Sequence, residues 1–319
     1  MKAVLLEAGA INYNDLDFSP ITSQIETTIY DNTTEENKFE HIGDAEVVFV
    51  NKVIMDEEVF SKCPDLKYIG VCATGYNVID IEAAKRHGVV VTNVPAYSTE
   101  SVAQLTWGLI IEAASHIGLH NIDVHNGGWV KSETFCYILA PVMELCGKTI
   151  GVVGYGNIGR RVCEIAHAFN MNVLVHTANP DKYMGKCDEN FVTLDTLFEQ
   201  SDIITLHCPM NDETAGLICN DNIRKMKDKV IIVNVSRGGL VVESDLADAL
   251  NSGKVGAAAV DVVSVEPMKA DNPLLTAPNM TITPHMAWAS LEARKRLVNV
   301  VASNYRAFAE GRADNVVNG

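Results

Sequence analysis

Between Lys148 and Thr283, short runs of β-branched and aliphatic residues alternate with stretches whose apolar positions recur every three or four residues. That alternation predicts strand–helix–strand units, a parallel sheet covered by helices on both faces. Six strands are expected, at 149–153, 172–175, 202–206, 230–235, 257–260 and 280–283, with helices near 157–169, 193–200, 220–227 and 243–252. The fifth connection reads as loop. Four of the strands are apolar almost throughout, as expected where neither sheet face meets water. The first hundred residues repeat the scheme on a smaller scale, with strands at 3–6, 47–50, 66–71 and 89–91 and a helix at 79–86.

From Ser98 the run STESVAQLTWGLIIEAASHI reads as a long helix, apolar nearly all round once Trp107, Ile110 and Ile111 widen the stripe of Val102, Leu105 and Leu109. Such a helix must be buried, between domains or against a second subunit, so a homodimer is expected. After Ser290, Leu297, Val301, Tyr305 and Phe308 are spaced as one helical face, and Gly311 suits its end. This last helix is expected to return to the first domain. The fold class predicted is thus α/β, two Rossmann-like or flavodoxin-like domains with a cleft between them. Residues 1–98 and 289–319 would form a discontinuous substrate-binding domain, and 99–288 a nucleotide-binding domain.

Length and composition fit this reading: 319 residues suffice for two domains, and 47% hydrophobic with 21% charged residues is ordinary for a globular protein. The charge adds a constraint. With 25 Lys and Arg against 41 Asp and Glu, the net charge is −16, so a nucleic-acid partner is not expected. The basic run Arg294, Lys295, Arg296 is assigned to a solvated helix face. An anionic substrate would be repelled by the whole-protein field and would need a dedicated cation. No signal peptide or membrane-length apolar segment is visible, so the chain is expected in the cytoplasm. The eight cysteines show no C-x-x-C spacing, which points to reduced, partly buried thiols and to no metal site.

The strongest local motif is GVVGYGNIGR, which follows the 149–153 strand and opens a helix. Gly154 permits the tight turn, Gly156 lets backbone approach a pyrophosphate, and Gly159 allows close helix–strand packing. Tyr155, Asn157 and Ile158 lie within the same fingerprint. The acid that would hold the adenosine ribose is missing after the next strand, where His176 and Thr177 stand; Asp181 comes several residues late. The cofactor is therefore NAD or NADP. Three further segments follow successive strands, where ligands of such sheets bind: NVSRGG with Arg237, DVVSVEP with Glu266, and TPHMAW with His285. A guanidinium, a carboxylate and an imidazole would meet at the cofactor end of the sheet. Arg237 has the planar donors to grip a carboxylate and polarise an adjacent ketone. An imidazole at His285 could exchange a proton with a bound ligand, and Glu266 within reach would orient its ring.

GYGNIG, VNVSRGGLVVESDLADAL, GAAAVDV…EP and TPHMAWAS together resemble the D-isomer-specific 2-hydroxyacid dehydrogenase family, and the likeness extends over ATGYNVIDIEAAKRHGVVVTNVPAYSTESVAQLTWGL. The resemblance implies hydride transfer between NAD(P)H and a small-molecule 2-oxo acid, with Arg237 on the substrate, His285 as acid and base, and Glu266 paired with the His. It also implies that Asp261 holds the nicotinamide carboxamide and that Cys208 and Pro209 line the adenosine side. Val235 and Ser236 border the same cofactor path. Ala73, Thr74 and Gly75 match a loop whose amides meet the substrate carboxylate, and Asn51 and Tyr97 are placed in the same cleft. Trp288, in HMAW, resembles the hydroxypyruvate-reducing branch and argues for a short substrate side chain such as that of hydroxypyruvate or glyoxylate. The alternatives are a D-lactate dehydrogenase-like enzyme and a dinucleotide-sensing protein of corepressor type.

Overall fold

A computed structural model describes residues 1–312 and 314–319, and divides them into two compact units, Met1–Ser98 with Trp288–Gly319, and Thr99–Ala287. Trp288 thus falls in the first unit, one residue away from the boundary expected on sequence.

The first unit holds a five-stranded parallel sheet of β1 (Lys2–Leu5), β2 (Glu26–Ile29), β3 (Val47–Val50), β4 (Tyr68–Val71) and β5 (Val90–Thr92). Their spatial order is β2-β1-β3-β4-β5, the flavodoxin-like order. Around it lie the short helices α1 (Ala8–Ile11), α2 (Ser19–Thr22), α3 (Lys38–Ile42), α4 (Glu57–Lys62) and α5 (Ile81–Arg86). β3 and β4 are buried at every position, which explains their unbroken apolar reading, whereas β2 is an exposed edge strand that hydrophobic pattern did not mark. The C-terminal helix, α12 (Leu291–Ala309), belongs to this unit; Ser290 caps it by accepting the Ala293 amide, and Leu297, Val301 and Tyr305 enter the core with Phe49 and Tyr68. Its basic run is solvated only in part. Arg294 is buried and forms two bonds to the Asp15 carboxylate at 2.6 and 2.7 Å, whereas Arg296 is exposed and donates to the Tyr97 carbonyl, and Lys295 is exposed and free of such bonds. Burying a guanidinium is tolerable only with such a partner.

The second unit begins with α6 (Thr99–Ser115) and α7 (Ile117–His125). Its parallel sheet has seven strands: β6 (Thr149–Val153), β7 (Asn172–His176), β8 (Asn190–Phe191), β9 (Ile203–Leu206), β10 (Val230–Asn234), β11 (Val255–Val260) and β12 (Met280–Ile282). The order is β12-β11-β10-β9-β6-β7-β8, so chain direction across the sheet reverses between β6 and β9, the switch point at which ligands of such sheets bind. Two-residue β8 is the strand the sequence did not reveal. Helices α8 (Asn157–Ala168), α9 (Leu194–Gln200), α10 (Asn220–Lys225) and α11 (Glu243–Ser252) complete the layers. Helix α6 is buried as expected, but its cover is its own unit: Val102, Trp107, Leu109 and Ile110 pack with Ile150, Val162, Ile231 and Ala259. Each fully buried aliphatic side chain there contributes roughly 1.5–3 kcal/mol. The apolar surface left open lies beyond α6, because α7 has no buried residue and Ile122, Val130, Phe135 and Ile138 are exposed.

Candidate active site

Strand ends of the second unit carry the site. Gly154 closes the turn after β6 with φ +100°, and a Cβ there would come 2.6 Å from the backbone of His207 and Cys208. On Gly159 a Cβ would overlap the Gly154 carbonyl, so only glycine lets α8 start this close to β6. Nothing lies within 4 Å of the same position on Gly156, and no side chain caps α8. Open space before an uncapped helix N-terminus fits a dinucleotide pyrophosphate. Asn157 is exposed and takes a bond from Arg160, and half-buried Ile158 packs on the core. The Tyr155 ring is buried edge-on between Tyr183 and Phe191, which leaves its backbone for a cofactor.

At the end of β7, the His176 carbonyl accepts the Gly154 amide at 2.8 Å, and its ring Nδ1 donates to the Val192 carbonyl at 3.1 Å. Thr177 is half-buried beside it, and Asp181 is exposed in the turn Pro180–Lys182. Cys208 and Val235 are buried, Pro209 is exposed, and Ser236 bridges two strand ends by donating its hydroxyl to the Cys208 carbonyl at 2.7 Å. Burial pushes the Cys208 thiol up, so it stays protonated.

Arg237 leaves β10 through a turn locked by fully buried Asn234, whose amide donates to the Arg237 carbonyl and whose oxygen accepts the Ser236 amide. The guanidinium is exposed, donates to the Ser236 carbonyl, and makes no ion pair among the described residues. A cation without a counter-ion is available to an external carboxylate. His285 and Glu266, 19 positions apart, are brought together: imidazole Nδ1 lies 2.7 Å from the Glu266 carboxylate, with both side chains about one-third exposed (34% and 37%). Donation through Nδ1 leaves Nε2 as the nitrogen free to exchange a proton. The other Glu266 oxygen accepts the Val263 amide.

His285 stands in the left-handed backbone region, φ +53°, which costs energy unless the surroundings enforce it. Asp261 does so. It is buried, and its carboxylate accepts the Thr283 hydroxyl at 2.6 Å and the Met286 and Ala287 amides at 2.9 and 2.8 Å, while its carbonyl takes the His285 amide. Its oxygens are therefore engaged in holding the His285 turn, a use the sequence reading did not foresee. Asn234 was missed as well; the only signal was its position at the end of a strand. A second histidine, His207, follows β9. Its Nε2 meets the Thr205 hydroxyl at 2.9 Å, its shielded Nδ1 has no partner, and burial pulls its pKa down to about 3.

In the first unit, the amides of Ala73, Thr74 and Gly75 have no partner among the described residues, and Thr74 Oγ1 is tied to the Val94 carbonyl. Free backbone amides are donors that an anion can use. The comparable run at Asn51 is filled: Glu7, buried, accepts the amides of Asn51, Lys52 and Val53 at 3.0, 2.6 and 3.0 Å. Tyr97 is a core residue with its hydroxyl pKa raised by burial, and Trp288 is half-buried against the same cluster, so neither ring stands open in its unit. Among the described residues no cluster of His, Cys, Asp and Glu is arranged to hold a metal, all eight cysteines are free, and no helix is long and apolar enough to cross a membrane.

The chain is similar to several known proteins. A family model described as D-isomer specific 2-hydroxyacid dehydrogenase, NAD binding domain, matches residues 107–287. A hydroxypyruvate reductase of Blautia hydrogenotrophica is 47% identical over 321 residues, covering 100% of both chains. A glycerate dehydrogenase of Methylorubrum extorquens is 39% identical over 291 residues, covering 90% of each. Among solved structures, the TT0316 protein of Thermus thermophilus superposes with a TM-score of 0.90 at 29% identity, covering 99% of this chain and 100% of that one.

Proposed function

Because the chain belongs to the D-isomer-specific 2-hydroxyacid dehydrogenases, NAD(P)-dependent oxidoreductases acting on CH–OH groups, we propose that it reduces hydroxypyruvate or glyoxylate to the corresponding hydroxy acid. The observation that carries this reading is the His285–Glu266 pair at 2.7 Å in the unit that bears the dinucleotide fingerprint and the unpaired Arg237. The nicotinamide, when bound, supplies the hydride to the ketone carbon. His285 gives its Nε2 proton to the carbonyl oxygen, so one hydride and one proton convert C=O to CH–OH. Glu266 orients the ring and offsets its positive charge, and Asp261 fixes the backbone from which the ring projects. Arg237 holds the substrate carboxylate and supplies the cation that a chain of net charge −16 otherwise opposes. The free amides of Ala73, Thr74 and Gly75 offer a second group of donors for an anion.

The full-length likeness to a hydroxypyruvate reductase supports the short-chain substrate. Neither an acid nor an arginine stands at His176 and Thr177, so both NADH and NADPH are admitted. Eight free thiols suit a reducing, cytoplasmic compartment. We assign the exposed apolar side chains of α7 and the segment after it to a homodimer contact; a monomer in equilibrium sedimentation at micromolar concentration would end that assignment. The substrate assignment is tested by a panel of hydroxypyruvate, glyoxylate, pyruvate and branched 2-oxo acids with each cofactor. The first two should give the highest kcat/KM, and turnover of branched acids alone would contradict it.

A further inference from the structure

Glu266 sits on an exposed surface loop, anchored by apolar side chains on either side, buried Val262 and Leu274 and half-buried Val263 and Met268. Between these anchors the exposed residues are positioned by polar contacts. Three come from one carboxylate outside the catalytic group, that of Glu243 in the first turn of α11. One oxygen accepts the Ser264 amide at 2.7 Å; the other accepts the Ser264 hydroxyl at 2.8 Å and the Asn272 amide group at 2.9 Å. Glu243 thus grips the loop on both sides of Glu266. Neighbouring amides go to two different carboxylates, Val263 to Glu266 and Ser264 to Glu243, which pins the peptide between them. The loop also lies directly on the turn that carries Arg237, since a Cβ on Gly238 would overlap the Val263 carbonyl.

We propose that Glu243 is a positioning residue for the reaction, holding the Glu266 loop so that the carboxylate meets His285. This rests on the reading of Glu266 and His285 given above. Glu243→Ala should lower kcat about tenfold at unchanged NADH affinity, and amide exchange at Ser264 should quicken in the cofactor-free protein. Glu243→Gln, which keeps one acceptor oxygen, should recover part of the rate. Ser264→Ala removes only the hydroxyl bond, should lose two- to threefold by the same argument, and serves if Glu243→Ala does not fold.

The decisive readout is a double-mutant cycle with Glu266→Gln. A residue acting through Glu266 costs little more once that carboxylate is gone, whereas an equal loss in both backgrounds would show a merely structural role and overturn the proposal. Unchanged kcat in both Glu243→Ala and Ser264→Ala would overturn it as well. His285→Gln, measured alongside, separates the two ideas: near-normal turnover there overturns the reading of the catalytic pair, while a dead His285→Gln with an additive Glu243→Ala overturns the clamp alone.

Discussion

His207 and His285 both follow parallel strands of the second unit, β9 and β12, yet the fold prepares them for opposite tasks. His207 has a hydroxyl for a partner, no charged neighbour within bonding distance, and a shielded Nδ1; desolvation holds it neutral, with a pKa near 3. His285 is one-third exposed, with Nδ1 committed to a carboxylate and Nε2 left over. Residue type and strand-end position are shared, so they do not choose the proton donor. A counter-charge and an open face do.

The comparison breaks if the counter-charge is irrelevant. Glu266→Gln keeps the side chain's shape but removes its charge, and kcat for 2-oxo acid reduction should fall roughly tenfold to a hundredfold with NADH affinity retained; wild-type kcat would show that orientation alone suffices. A smaller effect sharpens the other side. His207→Gln should hold kcat at saturating cofactor within about fivefold, well short of the loss expected for a proton donor. Its signature should be in acid stability. The folded protein refuses a proton that the unfolded chain accepts near pH 6.5, so the stability contributed by neutral His207 is fully present above that pH and drains as pH falls toward 3. The variant lacks this titration, so its thermal midpoint should decline less steeply between pH 6.5 and 4, and parallel slopes would refute the assignment.

Much of the candidate site was legible in the chain. Strand-end spacing marked Arg237, Glu266 and His285, and the glycine fingerprint marked the nucleotide site, because each belongs to a short segment following an apolar run. Burial of α6 was legible too, but its cover was not: an all-round apolar helix shows that it must be covered without naming the surface, and Ile150, Ile231 and Ala259 come from distant strands. Edge strands β2 and β8 escaped because one is exposed and the other is two residues long. Helix α7 escaped because no burial stripe shapes its sequence. Within the site, the bonds from Asp261 to 283–287 and from Glu243 to Ser264 and Asn272 join residues roughly 20 to 30 positions apart, and no local pattern encodes such pairings. The same holds for the Asn51 run, where only the structure reveals that Glu7 already fills the amide nest.

The central claim is that His285 is the proton donor. Its most direct test is a single turnover of hydroxypyruvate by His285→Gln saturated with NADH, with cofactor affinity measured on the same sample. NADH should bind as in the wild type and its oxidation should slow by about a thousandfold or more; oxidation at a near wild-type rate would rule out His285 as the proton donor.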